Sequence, residues 1–148
     1  VTSMSPAAEF FAAVSGVKIE VNARPHESGV KATGIDIVSN EKTSSDVHRL
    51  LEARYGSRVA LLDFNTVTAI HEPRASKGNA LALIAEDLGV DRSQVLAIGD
   101  GINDVSMLSW AGQSGTPAHG DSYAKDSAKE VLKGEGVSGV VARLMSVL

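Results

Sequence analysis

Val95-Leu96-Ala97-Ile98-Gly99-Asp100-Gly101-Ile102-Asn103-Asp104 is the stretch from which the fold is read. Val95 to Ile98 is a short, continuous apolar run, the pattern of a strand buried in a parallel sheet. It ends in Gly99-Asp100, and a helical spacing follows in Val105, Met107, Leu108 and Ala111. Ligands of open α/β sheets bind outside the carboxyl ends of strands, which is where this turn falls. Two glycines keep its backbone thin and flexible. Asp100 and Asp104 put two hard oxygen donors on one turn of chain. That suits Mg²⁺, which takes one or two carboxylates plus water and substrate phosphate. Asn103 adds a neutral side chain able to hydrogen-bond a phosphate oxygen or orient a carboxylate. The plainer alternative is a turn with Asp104 as helix N-cap.

Outward from this turn, helices and apolar strands alternate from Glu72-Pro73 onward, the pattern of a parallel α/β layer. Ser76 caps a helix with Leu81, Ile84, Ala85 and Leu88 on one face, stopped by Gly89. Lys77 in its first turn opposes the helix dipole, at about 0.3–1 kcal/mol. A breach of a local rule often marks a functional position, and a reach toward carboxylates or phosphate would explain this one. After the turn, residues 112–118 hold a short strand, 123–129 a helix, and Val131-Leu132 a strand pair. Val137, Val140, Val141, Leu144 and Leu148 form a stripe that docks the last helix on a core.

Before Glu72 the character differs. Ser5-Pro6 starts a helix over 7–14, ended by Gly16. Val17, Ile19 and Val21 alternate with polar residues, which predicts a strand. Arg24 to Gly29 is a polar turn, and Val30 to Val38 pairs back as a hairpin. Ser44 caps a helix ending at Gly56, and residues 58–64 and 66–71 are strands around Asn65. This half reads as an antiparallel sheet with helices on it.

The chain has 148 residues, with 14 basic and 18 acidic side chains and a formal net charge of −4. That is one domain or two small lobes. The acidic balance and 4% aromatic content disfavour a nucleic-acid partner. With no cysteine, disulfides, thiolate zinc sites and a cysteine nucleophile are excluded. No apolar run spans a bilayer and no signal peptide is seen, so no membrane partner and a cytoplasmic location are expected.

Residues 75–81 (Ala-Ser-Lys-Gly-Asn-Ala-Leu), 85–90 (Ala-Glu-Asp-Leu-Gly-Val), 99–104 and Met107-Leu108 together resemble the haloacid dehalogenase (HAD) superfamily. The nearest look is the Cof-type, sucrose-phosphatase-like branch with a C2-type cap. Residues 68–73 resemble the last cap strand returning to the core, and 136–144 the closing helix. The resemblance implies a cap over 1–72 and the C-terminal part of a HAD-like core over 73–148. Lys77 matches the third motif, the lysine that steadies the nucleophile and the phosphoryl group. Asp100 and Asp104 match the fourth, which holds Mg²⁺, and Asn103 matches its asparagine. Lys77 and Asp100 are the expected catalytic residues, and Lys77, Asn103 and Gly101 the expected phosphate contacts. The implied activity is Mg²⁺-dependent hydrolysis of a small phosphate ester, such as a sugar phosphate, through an aspartyl-phosphate. The P-type ATPase phosphorylation domain carries a similar turn, but no membrane helices follow here.

The departures from that pattern carry their own expectations. The family opens on an Asp-x-Asp strand, yet residues 1–16 contain no Asp, and the second motif has no home either. The nucleophile is therefore expected outside this chain. Asp63, in Leu61-Leu62-Asp63-Phe64-Asn65, is a faint internal echo, and His26 and Arg24 could read substrate from their turn. His119 stands where the family shows a Gly-Asn-Ala type turn, and reads as a turn residue. The second function class is an inactive module binding phosphate or a partner protein. An exposed sheet edge would then invite self-association or a complementary N-terminal fragment.

Overall fold

Ser5 and Pro6 start the first helix as their chemistry dictates. The Ser5 hydroxyl accepts the Ala8 amide at 3.2 Å, and Pro6 sits where no amide is needed. Helix α1 runs Pro6–Ser15 and ends at Gly16, whose φ of 68° is left-handed. The computed structural model describes every residue except Val30, Asn40, Glu135 and Leu148, and of Ala7, Glu41, Lys42 and Thr43 only the backbone. The expected strand start at Val30 and the last stripe residue, Leu148, lie outside the described residues.

Residues 17–21 form no strand, against the alternation that predicts one. Val17 and Val21 are 52% and 55% exposed, so the alternation has no core face to bury. Its backbone meets the chain terminus instead, where the Val1 amino group donates to the Glu20 carbonyl and the Asn22 amide to the Val1 carbonyl, each at 2.8 Å. The expected hairpin is therefore absent, and its other strand pairs elsewhere. Strands β1 (Gly34–Val38), β2 (Ala60–Asp63) and β3 (Val67–His71) form an antiparallel sheet in the order β1-β3-β2. Ile70 of the central strand lies opposite Ile35 on one side and Leu61 on the other. Asn65 makes the β2–β3 turn with a φ of 65°, a conformation asparagine tolerates. Helix α2 covers Glu41–Tyr55, so Ser44 is not its cap. Ser44 is buried inside the helix and its hydroxyl donates to Asp63 Oδ1 at 2.9 Å, tying α2 to the sheet.

The second half alternates as its apolar pattern demands. Helix α3 is Lys77–Asp87, β4 Leu96–Ile98, α4 Val105–Trp110, β5 Gln113–Thr116, α5 Ser122–Ser127, β6 Glu130–Val131 and α6 Val137–Met145. The strands form a parallel sheet in the order β4-β5-β6, with Ala97 opposite Ser114 and Gly115 opposite Glu130. The core is Ala97, Leu108, Ala111 and Ala124, with Leu81, Val95, Met107 and Trp110 packed around it. Among the described residues β4 is an edge strand.

Two apolar faces expected to be buried are not. On α3, Ala85 is buried and Leu81 packs on the core, but Ile84, and Leu88 at the helix's C-cap, face solvent. On α6, Val137, Val141 and Leu144 are 75%, 50% and 45% exposed, and only Gly139 is buried. The stripe is present, but of its described residues only Val140 is half-buried. Among the described residues no helix is long and apolar enough to cross a membrane.

Candidate functional site

The site grows from the carboxyl end of β4. The chain leaves Ile98, passes through Gly99 to Gly101, and makes one 3₁₀ turn over Ile102–Asp104 before α4. Asp104 folds back under that loop, and its Oδ2 accepts the amides of Asp100 at 2.9 Å and Gly101 at 3.2 Å. A Cβ at Gly99 would lie 2.5 Å from the Asp104 Cβ, so only glycine leaves room for this carboxylate. The other oxygen, Oδ1, accepts from Lys77 Nζ in an ion pair. The Asp104 side chain is 5% exposed and that of Lys77 is 50% exposed.

Lys77 is delivered by the start of α3. The Ser76 hydroxyl caps that helix by accepting the Asn79 amide at 3.2 Å. Gly78 beside it donates its amide to the Ser106 hydroxyl at 3.0 Å, and a Cβ there would lie 2.5 Å from the Ser106 carbonyl oxygen, so α3 and α4 cross closely. The cation at the helix N-terminus is thereby answered by a buried anion, which offsets the dipole penalty.

Burial would raise the Asp104 pKa. The Lys77 hydrogen bond and charge, with the two loop amides, outweigh it and hold the carboxyl below its ordinary value. Asp104 stays ionised, and the loop is locked around it. Asp104 stands at the N-cap position of α4, but its side chain makes no cap hydrogen bond to that helix and turns back to the loop amides and Lys77 instead.

Asp100 is different. Its side chain is 65% exposed, and His119 Nε2 lies 4.0 Å from its Oδ2. Its carbonyl accepts the Asp121 amide at 2.9 Å, which fixes the loop to the start of α5. Asp100 and His119 line a cavity of about 310 Å³ with Ile98, Pro117 and Val140. Lys77 and Asn103 line a second one, of about 460 Å³, that also reaches Leu62 and His71 of the antiparallel sheet. Asn103 Oδ1 lies beside Gly101, 3.2 Å from where a Cβ would stand.

The structure therefore brings Lys77, Asp100, Gly101, Asn103 and Asp104 to one edge of the parallel sheet. It does not bring the other three candidates there. Asp63 closes its own turn, accepting the Ser44 hydroxyl and the Asn65 amide at 3.0 Å, and lines neither cavity. Arg24 and His26 sit on an exposed 3₁₀ turn, Pro25–Glu27, each within reach of Glu27. Gly78, Ser106 and His71 escape a reading of the sequence. A glycine within the first turn of a helix was the one available signal, for Gly78.

An exposed carboxylate, a buried carboxylate and an ammonium group at one edge of the sheet can hold a hard cation and an anion together. Among the described residues no cluster of three His, Cys, Asp or Glu could hold a metal alone. Mg²⁺ does not need one, because it fills its shell with water and phosphate, whereas a structural zinc site does. The Asp100 donor thus fits Mg²⁺.

Fold and site define an α/β protein that gathers charge beyond the carboxyl ends of a parallel sheet. The sequence profile of the haloacid dehalogenase-like hydrolases matches residues 9–144. The chain belongs to that family. It is 32% identical over 126 residues to a phosphoglycolate phosphatase of Methanopyrus kandleri, covering 84% of this chain and 54% of that protein. It is 35% identical over 104 residues to a phosphoglycolate phosphatase of Halobacterium salinarum, covering 68% and 45%. The chain spans about half the length of the curated relatives it matches. Among solved structures, a haloacid dehalogenase-like hydrolase of Bacteroides thetaiotaomicron superposes with a TM-score of 0.75 at 21% identity, over 96% of this chain and 55% of that one. A HAD/COF-like hydrolase of Plasmodium vivax superposes with a TM-score of 0.69 at 25% identity, over 78% and 41%.

Proposed function

We propose that the chain is the Mg²⁺- and phosphate-holding part of a phosphatase acting on a small phosphate ester. The observation that carries this reading is the Lys77–Asp104 ion pair locked beneath the exposed Asp100 carboxylate. Asp100 would hold the metal, with Asp104 behind it through the loop it fastens. Bound Mg²⁺ would supply charge neutralisation at the phosphoryl oxygens. Lys77 gives a fixed positive charge toward the same group, with Asn103 and the Gly101 amide beside it. The antiparallel sheet over the second cavity keeps bulk water from the ester.

Hydrolysis needs a carboxylate that attacks phosphorus while the ester oxygen leaves with a proton. Water then attacks the aspartyl-phosphate and releases phosphate. No aspartate of this chain is offered to that role by the site, so the nucleophile belongs to a segment outside these residues. Phosphoglycolate heads the substrate panel, because curated relatives carry that name, and sugar phosphates follow. An inactive phosphate-binding module is the competing outcome.

Phosphate release tests this, once with the chain alone and once with it joined to the part of the Methanopyrus relative that lies outside the match. We expect no release above an Asp100→Asn control in the first case and Mg²⁺-dependent release in the second. Release by the chain alone, abolished by Asp100→Asn, contradicts the reading. So does a silent fusion that still binds phosphate, which would make the chain an inactive module.

A further inference from the structure

His71 ends β3 at the mouth of the larger cavity, and the cavity's walls narrow its possible role. Ala60, Leu62, Pro73, Ile102 and Val105 give the cavity an apolar lining. Most of its polar groups are already committed. The Ser76 hydroxyl accepts the Asn79 amide, the Ser106 hydroxyl accepts the Gly78 amide, and Lys77 is paired with Asp104. Asn103 and Tyr123 lie exposed at the rim, whereas His71 is half-buried.

The imidazole is also pre-set. Its Nδ1 lies 3.0 Å from the Glu72 carbonyl, and a carbonyl only accepts, so Nδ1 carries the proton. Nε2 has no partner among the described residues. The two residues opposite His71 across the sheet are Gly34 and Ala60, which are the smallest side chains available. They leave open space on the face of the sheet that His71 shares. A histidine held in one orientation, with one nitrogen unspent and room before it, is a recognition group in waiting.

We propose that His71 is a specificity-determining residue that reads a carboxylate on the leaving group of the phosphate ester. This rests on the phosphate-site reading above. A compact leaving group suits an apolar cavity with a single reader. A polyhydroxylated sugar would leave most of its hydroxyls unpaired against Leu62, Ile102 and Val105, which costs binding. With a proton on each ring nitrogen the imidazole donates twice, from Nδ1 to the Glu72 carbonyl and from Nε2 to the carboxylate, the second a charge-assisted hydrogen bond.

The test is calorimetry on the full chain with Mg²⁺, using inorganic phosphate, 2-phosphoglycolate and 2-hydroxyethyl phosphate as probes. The native chain should bind the carboxylate ester about tenfold more tightly than the hydroxyl ester. In His71→Ala that ratio should fall to about one, with the Kd for inorganic phosphate unchanged. Retained phosphate binding also shows that the variant folds. Should His71→Ala not fold, His71→Gln keeps a polar group without the charge and should lower the ratio at least threefold. A ratio untouched by both substitutions overturns the proposal, as does a native preference for the hydroxyl ester. If the native chain binds no inorganic phosphate with Mg²⁺, the phosphate-site reading fails and this proposal falls with it.

Discussion

At the scale of single residues the account turns on Asp104. Its carboxylate accepts two loop amides and one ammonium group while nearly enclosed. Asp104→Asn keeps the volume but turns one acceptor into a donor. We expect a loss of about 2 kcal/mol in urea unfolding, the scale of a hydrogen bond to a buried charge. The pH dependence follows from the direction of its pKa. A carboxyl held below its ordinary value in the folded state adds stability above the unfolded value, about 3.9, and loses it as pH falls through the folded one. The gap between the native chain and Asp104→Asn, measured without metal, should narrow below about pH 4. A gap constant down to pH 2 would show that Asp104 is not held ionised by Lys77. The pairing was legible in the sequence because one anomaly had an answer nearby. A lysine at a helix start breaks a local preference, and carboxylates on the glycine-rich turn that follows are groups it can reach toward. His71 left no such mark, since nothing in its neighbourhood violates a strand pattern.

At the scale of elements, the approach of α3 to α4 sets where Lys77 stands. A Cβ on Gly78 would lie 2.5 Å from the Ser106 carbonyl oxygen and 2.6 Å from its carbon, both backbone atoms that cannot swing away. Alanine would normally favour this helix by about 1 kcal/mol over glycine. The clash reverses the sign, and Gly78→Ala should cost about 1–3 kcal/mol by thermal or urea unfolding. Lys77 would move with the helix, so Mg²⁺-dependent phosphate binding should weaken as well. A stabilised Gly78→Ala chain would refute the close crossing. The parallel half was legible because buried strands such as Leu96–Ile98 are continuous apolar runs and their helices carry caps. The antiparallel half was less so. The alternation at 17–21 looked like a strand, but alternation records only a pattern, and a strand also needs a partner edge and a face to bury. Ser44 misled for the opposite reason, because a hydroxyl that would cap a helix found Asp63 on the sheet instead.

At the scale of the whole molecule, surface decides. A folded monomer of 15.4 kDa exposes about 7,200 Å², whereas this one exposes 10288 Å². The excess, on the order of 3,000 Å², is comparable to a large protein interface. It includes Leu83 and Ile84 on α3, Leu88 just after it, and Val137, Val141 and Met145 on α6. β4 is an edge strand among the described residues, so a complementary segment or a second copy is the cover we propose for this surface. The chain alone should therefore bind a hydrophobic dye strongly and associate with rising concentration in light scattering. The fusion with the unmatched part of the Methanopyrus relative should suppress both. A dye-silent, monomeric chain would contradict this reading of the exposed faces. The central claim is that Lys77, Asp100 and Asp104 form one Mg²⁺ and phosphate site, and amide NMR tests it most directly. Titrated Mg²⁺ should shift the amides of 99–104, and phosphate should add shifts at Lys77 and Gly78 only when Mg²⁺ is present. Both sets should vanish in Asp100→Asn. Shifts that ignore that substitution, or no Mg²⁺-dependent shift in the loop at all, would contradict the account.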